Sequence, residues 1–295
     1  MSRLFVIGNG FDLHFGLNTK PEYFEEYLAT KSIYNEPDNA LDYFRCYGVD
    51  WSEYEQSMAN IEFEELEEEH EQAPDYMSDH ERDRDGVIWD MEMLVDSLSG
   101  AINDALTDMV DAANAQIESY IINDSKYPLR LFNADDAILS FNYTRTVERL
   151  FDVPVEVPIL HIHGFRDNED PLVFGYRLDD KMMYPSHWGL NEENGDYYID
   201  QQRQIAYSFY TRLEKQLKID KLNVFMNGLN VCEVIVLGHS MGIVDFDYME
   251  EIEKGLNPKR WLISYYKDHE KNDILNRGYS FASKIQFCTI DEILS

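Results

Sequence analysis

The N-terminal segment from Leu4 to Asp12 places four apolar residues directly before two glycines, Gly8 and Gly10, that are separated by one residue. Such an apolar run is typical of a buried strand in a parallel sheet. The glycines permit a tight turn and a close approach of the backbone to a ligand. Because N–H groups at turns of this kind commonly bind phosphate, the segment predicts a strand, a turn, a helix start and a candidate anion site.

The glycine spacing leaves a second interpretation open. The dinucleotide fingerprint of dehydrogenases expects a third glycine three residues after the second, whereas the next glycine here is Gly16. A turn with a purely structural role is therefore an alternative to a phosphate site. On the phosphate interpretation, Gly10→Ala is expected to abolish dinucleotide binding and to leave the fold largely intact.

The amino-acid composition and net charge limit the kinds of molecule that the protein is expected to bind. A chain of 295 residues with 44% hydrophobic content can bury a large core and is expected to be globular. Its net charge of -32 opposes binding to DNA, RNA or an anionic membrane. A single dinucleotide stays compatible with this charge, since backbone N–H groups can hold its phosphates.

The cysteines and the hydropathy pattern indicate a cytoplasmic protein. Cys46, Cys232 and Cys288 are widely separated and form no Cys-x-x-Cys pair, so buried thiols are expected and a metal site on cysteines is not. No basic N-terminal region precedes a long apolar stretch, and no run of about 18 apolar residues occurs, so neither secretion nor membrane spanning is indicated.

Strand-like and helical segments alternate along the chain, which predicts an α/β fold with a parallel sheet. The single elaborated domain is expected to have a core formed by residues 1–20, 131–176 and 230–295. A helical insertion, or cap, is expected over 21–130, where an apolar stripe over 87–122 predicts one long helix or two. A second insertion is expected over 177–229. The acidic segment 50–85 is interpreted as a solvated helix face with a loop.

Polar and glycine-rich residues follow four of the predicted strands. They comprise Gly8–Asp12, Asn142–Thr144, His163–Gly164 and Gly238–Ser240. Ligands of open parallel sheets bind at the carboxyl ends of the strands, so these four segments are expected to form one site.

Two further interpretations concern single segments. The sequence from Gly238 to Gly242 fits a Gly-x-Ser-x-Gly nucleophile elbow, which would make Ser240 the nucleophile of an esterase, with His269 as the one histidine downstream. His161 and His163 alternate along one strand and would share a face, as a metal-binding pair does. His163 as a satisfied core histidine is the third alternative.

The ordered motifs resemble those of the bacterial abortive-infection family AbiH. They are Gly8-Asn9-Gly10-Phe11-Asp12 followed by Gly16-Leu17-Asn18-Thr19-Lys20, then Ser140-Phe141-Asn142-Tyr143-Thr144, His161-Ile162-His163-Gly164, and Gly238-His239-Ser240-Met241 with Asp245. This family is in turn similar to the sirtuin-like (SIR2-like) NAD-binding superfamily. The resemblance implies a sirtuin-like or Rossmann-like parallel sheet with large helical insertions.

The resemblance also implies functional residues. His163, Asn142 and Asp12 are expected to be catalytic, and no metal ligand is expected. The residues expected to bind the nucleotide are Gly8, Asn9, Gly10, Phe11, Asp12, Thr19, Tyr143, Gly164, Gly238, His239, Ser240 and Asp245.

The implied function is that of an antiphage abortive-infection effector that binds NAD and hydrolyses its nicotinamide–ribose bond. A non-catalytic nucleotide-binding defence sensor and an esterase using Ser240 are the alternatives. NAD or a related dinucleotide is expected as substrate rather than cofactor. A protein activator from phage or host is expected as a partner, and self-association into a homo-oligomer is left open.

Deacylation is not expected, because the chain has neither the paired cysteines nor the Pro-Asp-Phe-Arg pattern of deacylating sirtuins.

Overall fold

A computed structural model of the chain describes residues 2–49, 63–165, 172–173, 175 and 196–295. Six parallel strands form one sheet in the spatial order β3-β2-β1-β4-β5-β6. The strands are β1 (Arg3–Ile7), β2 (Ala137–Ser140), β3 (Ile159–His161), β4 (Glu233–Leu237), β5 (Arg260–Ser264) and β6 (Ile285–Cys288). The parallel α/β sheet expected from the sequence is confirmed, and its architecture is Rossmann-like.

Helices connect and flank the strands. They are α1 (Asn9–His14), α2 (Pro21–Leu28), α3 (Ala40–Cys46), α4 (Phe63–His70), α5 (Glu81–Asn123), α6 (Thr146–Leu150), α7 (Tyr197–Arg212), α8 (Ile219–Met226), α9 (Phe246–Leu256), α10 (Asp268–Asn276) and α11 (Ile290–Leu294). The apolar stripe over 87–122 thus belongs to one helix, α5, of 43 residues. Residues 172–176 form an apolar stretch that predicts a strand from the sequence; Leu172, Val173 and Gly175 lie outside any strand, and the other two residues fall outside the described residues.

The sheet is apolar on both faces because alternate residues of each strand enter different cores. Leu4 and Val6 of β1 belong to one buried cluster, together with Tyr248 of α9. Phe5 and Ile7 belong to another, together with Phe11 of α1. A strand covered on both faces needs a continuous apolar run, which explains the unbroken sequence of apolar residues in β1.

The sheet order reverses between β1 and β4. The chain passes from β1 outward to β2 and β3, then returns to the other side of β1 to form β4, β5 and β6. In register, Ile7 of β1 pairs with Ser140 of β2 on one side and with Leu237 of β4 on the other. The carboxyl ends of these three strands therefore lie side by side at the switch point, where open α/β sheets bind ligands.

The chain divides into two compact units. The first comprises Met1–Lys20, Met109–Val173 and Gln216–Ser295, and the second comprises Pro21–Asp108 and Phe174–Lys215. The division falls inside α5. The described part of the second unit is helical, with Lys31 Nζ 2.5 Å from the Asp108 carboxylate. The expected division into one domain with a cap at 21–130 and an insertion at 177–229 stays a prediction.

The turns after β1 and β4 contact each other backbone to backbone. The N–H groups of Gly8 and Gly10 donate to the carbonyls of Leu237 and Gly238 at 2.9 and 2.7 Å. A Cβ on Gly10 would lie 2.7 Å from the Gly238 oxygen and 2.9 Å from its Cα. Gly238 itself has φ +65°, and a Cβ there would lie 2.0 Å from the Phe11 nitrogen. Close packing of two turns therefore explains these glycines without a ligand.

Gly10→Ala is consequently expected to destabilise the fold, which corrects the expectation that this substitution spares it. Backbone atoms of Gly238 cannot move aside as a flexible side chain could, so we expect a loss of about 2 kcal/mol in the free energy of unfolding. Denaturant unfolding followed by circular dichroism measures this loss.

Gly100→Ala in α5 is the matched control. Apart from its chain neighbours and the adjacent backbone of α5, no atom of the described residues lies within 4 Å of the Cβ it would add, and alanine favours a helix interior over glycine. This variant is expected to gain about 0.5–1 kcal/mol. Equal stability of the Gly10→Ala variant and the wild-type protein would show that the two turns do not constrain each other.

Candidate functional site

Asp12, in α1, is buried with 1% of its surface exposed and accepts three side-chain hydrogen bonds. Its donors are Asn142 Nδ2 at 2.8 Å, Thr144 Oγ1 at 2.6 Å and Thr146 Oγ1 at 2.7 Å. Burial raises the pKa of Asp12 from 3.8 to about 6, although the three hydrogen bonds act in the opposite direction. The negative charge of Glu148 adds to the rise. Asp12 therefore ties the segment after β2 to the helix after β1.

The residues after β2 were only partly recognised from the sequence. Asn142 was assigned to the site, whereas the contacts of Thr144 and Thr146 with Asp12 were missed. The signal that could have revealed them is the presence of two hydroxyl residues, Thr144 and Thr146, shortly after the strand that ends at Ser140, because ligands and polar networks of a parallel sheet collect at the carboxyl ends of its strands. Asn142 Oδ1 is buried and has no hydrogen-bond partner within the described part of the chain, so it can accept one more donor.

His163 follows β3 and has 4% of its surface exposed. Its Nε2 lies 3.4 Å from Asp245 Oδ1. The ring of Phe141 contacts it edge to face, with 5.0 Å between centroids, and the rings of Tyr143 and Tyr248 both lie 6.2 Å away. Aromatic packing and a carboxylate thus hold the imidazole. Gly164 has φ +80°, which lets the chain turn directly after it.

His239, after β4, contacts the same carboxylate. Its Nε2 lies 3.3 Å from Asp245 Oδ2, and its ring packs on Phe141 at 4.4 Å. His239 Nδ1 accepts a hydrogen bond from the Met241 N–H at 2.9 Å. The sequence assigned Asp245 to nucleotide binding, and the structure places it between His163 and His239.

His161 does not share a site with His163, which corrects the interpretation of the two as a metal pair. The Nε2 of His161 lies 2.6 Å from Glu148 Oε1, and its Nδ1 lies 3.2 Å from the carbonyl oxygen of Asn142. Burial would raise the pKa of Glu148, but the hydrogen bond and charge of His161 lower it. Over the described ranges, no three His, Cys, Asp or Glu residues are grouped as a metal ion requires.

Three N–H groups of the glycine turn after β1 donate to carbonyls of the protein itself. Those of Gly8 and Gly10 donate to the β4 turn, and that of Phe11 donates to the Gly8 carbonyl at 2.9 Å. The Phe11 ring is fully buried and stacks on Phe151 at 5.6 Å, so it serves the core. Whether this turn binds a dinucleotide stays a prediction.

Two other predicted residues lie beside this turn. Asn9 is exposed, and its Nδ2 donates to the Thr19 carbonyl at 2.9 Å. Thr19 is buried, and its Oγ1 has no hydrogen-bond partner within the described ranges. The loop from α1 to α2 is therefore fixed to the turn at its start.

The segment around Ser240 does not fit a nucleophile elbow. An elbow passes from strand to helix in one strained turn at the nucleophile, whereas here the left-handed torsion falls on Met241, with φ 54°. A 3-10 turn at Ile243–Asp245 then precedes α9. His269 lies exposed at the start of α10.

One cationic side chain next to the β4 turn was missed from the sequence. The Arg277 guanidinium donates to the carbonyls of Ser240 and Met241, and the Tyr279 hydroxyl donates to the Met241 carbonyl at 2.9 Å. These contacts join residues after α10 to the turn after β4. Neither residue belongs to a motif, so only the folded structure reveals them.

Comparison with known proteins gives one family. The family model described as Bacteriophage abortive infection AbiH matches residues 4–265. No significant match was found among curated proteins or among solved structures. None of the helices in the described ranges is long and apolar enough to cross a membrane.

The raised pKa of Asp12 predicts a pH dependence of stability. A carboxyl whose pKa is higher in the folded state stabilises the fold fully below the unfolded pKa of 3.8, and this contribution is lost as the pH rises through about 6. Wild-type protein is therefore expected to lose about 3 kcal/mol relative to Asp12→Asn across this window. Chemical unfolding of both proteins between about pH 4 and about pH 7 measures the difference.

Asp135→Asn provides the control for the loss of one negative charge, because Asp135 is exposed. A wild-type advantage over Asp12→Asn that stays constant or grows as the pH rises would contradict the assignment of a raised pKa to Asp12.

Proposed function

The chain belongs to the bacteriophage abortive infection AbiH family, and on this premise we propose that it binds NAD or a related dinucleotide and hydrolyses the nicotinamide–ribose bond. Membership of the family indicates a role in abortive infection. The relationship to the SIR2-like superfamily, the substrate and the reaction are parts of the proposal. Loss of NAD from an infected cell would halt metabolism before phage multiply, which gives the reaction a consequence of the kind the family name describes.

One observation supports nucleotide binding above the others. The strand order β3-β2-β1-β4-β5-β6 is that of dinucleotide-binding sheets, whose ligand lies across the switch point. Gly8 and Gly238 follow the two strands that meet there, and their turns touch. The polar residues Asp12, His163 and His239 lie on the segments after β1, β3 and β4. A purely structural sheet does not need titratable side chains at the ends of three of the four neighbouring strands β3, β2, β1 and β4.

Hydrolysis of the nicotinamide–ribose bond requires few catalytic groups from the protein. Water adds to C1′ of the ribose as the C1′–nitrogen bond breaks, nicotinamide leaves as a neutral molecule with the bonding electron pair, and one proton of the water is released. The transition state resembles an oxocarbenium ion, as in glycoside hydrolysis. Because the leaving group needs no proton, the site needs a base for the water and a polar group to orient it.

His163 is the proposed base. Histidine has an unperturbed pKa of about 6.5 and can accept a proton near neutral pH. The carboxylate of Asp245, 3.4 Å from Nε2, stabilises the imidazolium that forms. Aromatic rings on several sides fix the imidazole and exclude bulk water from it.

Asn142 is proposed to orient the water, with Asp12 acting through it. Asn142 Nδ2 is bound by the Asp12 carboxylate, which leaves the buried Oδ1 as the acceptor for a proton of the water or of a ribose hydroxyl. The resemblance implied a catalytic role for Asp12. Its three protein donors instead make it a positioning residue in this proposal.

The proposal covers NADP as well as NAD, because no residue has been assigned to the adenosine ribose, where the two dinucleotides differ by one phosphate. If the enzyme requires activation by a phage or host protein, it stays inactive in uninfected cells. A non-catalytic sensor would bind the dinucleotide at the same strand ends and release no nicotinamide.

His163→Gln tests the proposal. The amide retains the size and polarity of the imidazole but cannot act as a base. Nicotinamide release is therefore expected to fall on the order of 10² to 10⁴-fold, while calorimetry still detects NAD binding. Chromatography of the products measures the rate, and circular dichroism verifies folding.

His269→Gln, at the exposed start of α10, is the matched control and is expected to keep the wild-type rate. If the folded His163→Gln variant binds NAD and keeps full turnover, His163 is not the base. If wild-type protein binds NAD and releases no nicotinamide, even in cells infected by phage, the sensor function replaces the enzymatic one.

A further inference from the structure

Asn142 is held by contacts with the protein at three of its four polar groups. Its N–H donates to Ser140 Oγ at 3.2 Å, and its Nδ2 donates to Asp12 Oδ1 at 2.8 Å. Its carbonyl oxygen lies 3.2 Å from Nδ1 of His161. The fourth group, the buried Oδ1, has no hydrogen-bond partner among the described residues. The direction in which this oxygen points therefore depends on the other three contacts.

We propose that His161 is a positioning residue for Asn142, and that it acts as an imidazolium whose two N–H groups join the Asn142 carbonyl to the Glu148 carboxylate. This inference rests on the proposed function, in which Asn142 orients the water, and deepens it. The motif resemblance includes His161 but gives it no role, and it does not include Glu148.

Both ring nitrogens of His161 face acceptors. Nδ1 faces a carbonyl oxygen, which has no proton to donate, so Nδ1 carries a proton. Nε2 lies 2.6 Å from Glu148 Oε1, close enough for the two atoms to share one proton. Burial would raise the pKa of Glu148, but the hydrogen bond and charge of His161 lower it, so this carboxyl is ionised. The shared proton therefore lies on Nε2, and the ring with its two protons is positively charged.

The sheet register brings this ring to the segment that it holds. His161 pairs with Ser140 across β3 and β2, and Asn142 follows two residues after Ser140. Glu148 lies on α6, the helix that comes next in the chain. Without the N–H of Nδ1, the Asn142 carbonyl loses its donor, and the backbone that carries Oδ1 keeps only the contact of its N–H with Ser140.

The surroundings of the ring explain why His161 and Glu148 act as one unit. Only 6% of the His161 side chain is exposed, and the Phe165 ring packs on it with 4.6 Å between centroids. The Arg145 guanidinium lies 5.8 Å from the centre of the Phe165 ring and adds a second positive charge nearby. An imidazolium with so little access to water needs an opposite charge beside it, and Glu148 supplies that charge.

Nitrogen-15 NMR of the histidine side chains in the full chain tests the charge of His161 without any substrate. Long-range nitrogen–proton correlations distinguish an imidazolium from either neutral form of the ring, and the spectrum of His161→Gln identifies the signals. We expect both nitrogens of His161 to carry protons at neutral pH. A neutral His161 ring at this pH would overturn the inference.

A matched pair of double variants tests the positioning role. His161→Asn places an amide nitrogen near the position of Nδ1 and keeps the donor to the Asn142 carbonyl. His161→Gln places its amide nitrogen near the position of Nε2 and keeps only the contact with residue 148. Each is combined with Glu148→Gln, so that neither variant contains a buried carboxylate without its cation.

Positioning predicts that the double variant with His161→Asn releases nicotinamide at least about ten times faster than the one with His161→Gln. The difference is expected in kcat rather than in KM, because Asn142 is proposed to orient the water of the reaction. Circular dichroism verifies that both variants fold. Equal values of kcat, or the opposite order, would mean that His161 only supports the fold, and the positioning role would be wrong.

Failure of the proposed function gives a different result, since wild-type protein would then release no nicotinamide. Exchange of the side-chain amide protons of Asn142 with solvent, followed by NMR, still tests the hold on this residue. These protons are expected to exchange at least about ten times more slowly in the double variant with His161→Asn. Equal exchange in the two variants would overturn the inference independently of turnover.

Discussion

The contact between the turns after β1 and β4 is the constraint on which the site depends. Two neighbouring parallel strands, β1 and β4, end here, and the backbones of Gly10 and Gly238 meet with no room for a Cβ on either. The N–H groups of Gly8 and Gly10 donate to the carbonyls of Leu237 and Gly238 and so hold the two chain segments together. The close contact of these glycines therefore sets the backbone geometry of the switch point, and it positions the side chains that follow them.

Two polar groups extend from this contact. On the β2 side, Asp12 gathers Asn142 and two threonine hydroxyls into a buried network. On the β4 side, the turn places His239 next to Asp245. The same carboxylate lies next to His163. Phe141, the first residue after β2, packs on both histidines and is followed directly by Asn142, so it joins the two groups. A buried carboxyl with a pKa of about 6 is tolerated because each of its oxygens has donors.

The sheet could be predicted from the sequence because a strand that is buried on both faces appears as a short run of consecutive apolar residues. The apolar runs of β1, β2 and β4 and the polar residues after them needed no tertiary information. Contacts between distant segments were harder to foresee. Nothing local shows that Gly10 meets Gly238, that Thr146 donates to Asp12, or that His161 pairs with Glu148. Sharing a strand suggested one role for His161 and His163, but β3 ends at His161, so alternation along a strand no longer relates them.

Hydrogen exchange of the full chain with and without saturating NAD tests the central claim most directly, since it locates a ligand without assuming turnover. The account predicts slower exchange of backbone amides in the segments after β2, β3 and β4, within residues 142–146, 163–164 and 238–245. NAD binding that slows exchange only in other segments, or an absence of binding by the folded chain, would contradict a nucleotide site at the switch point.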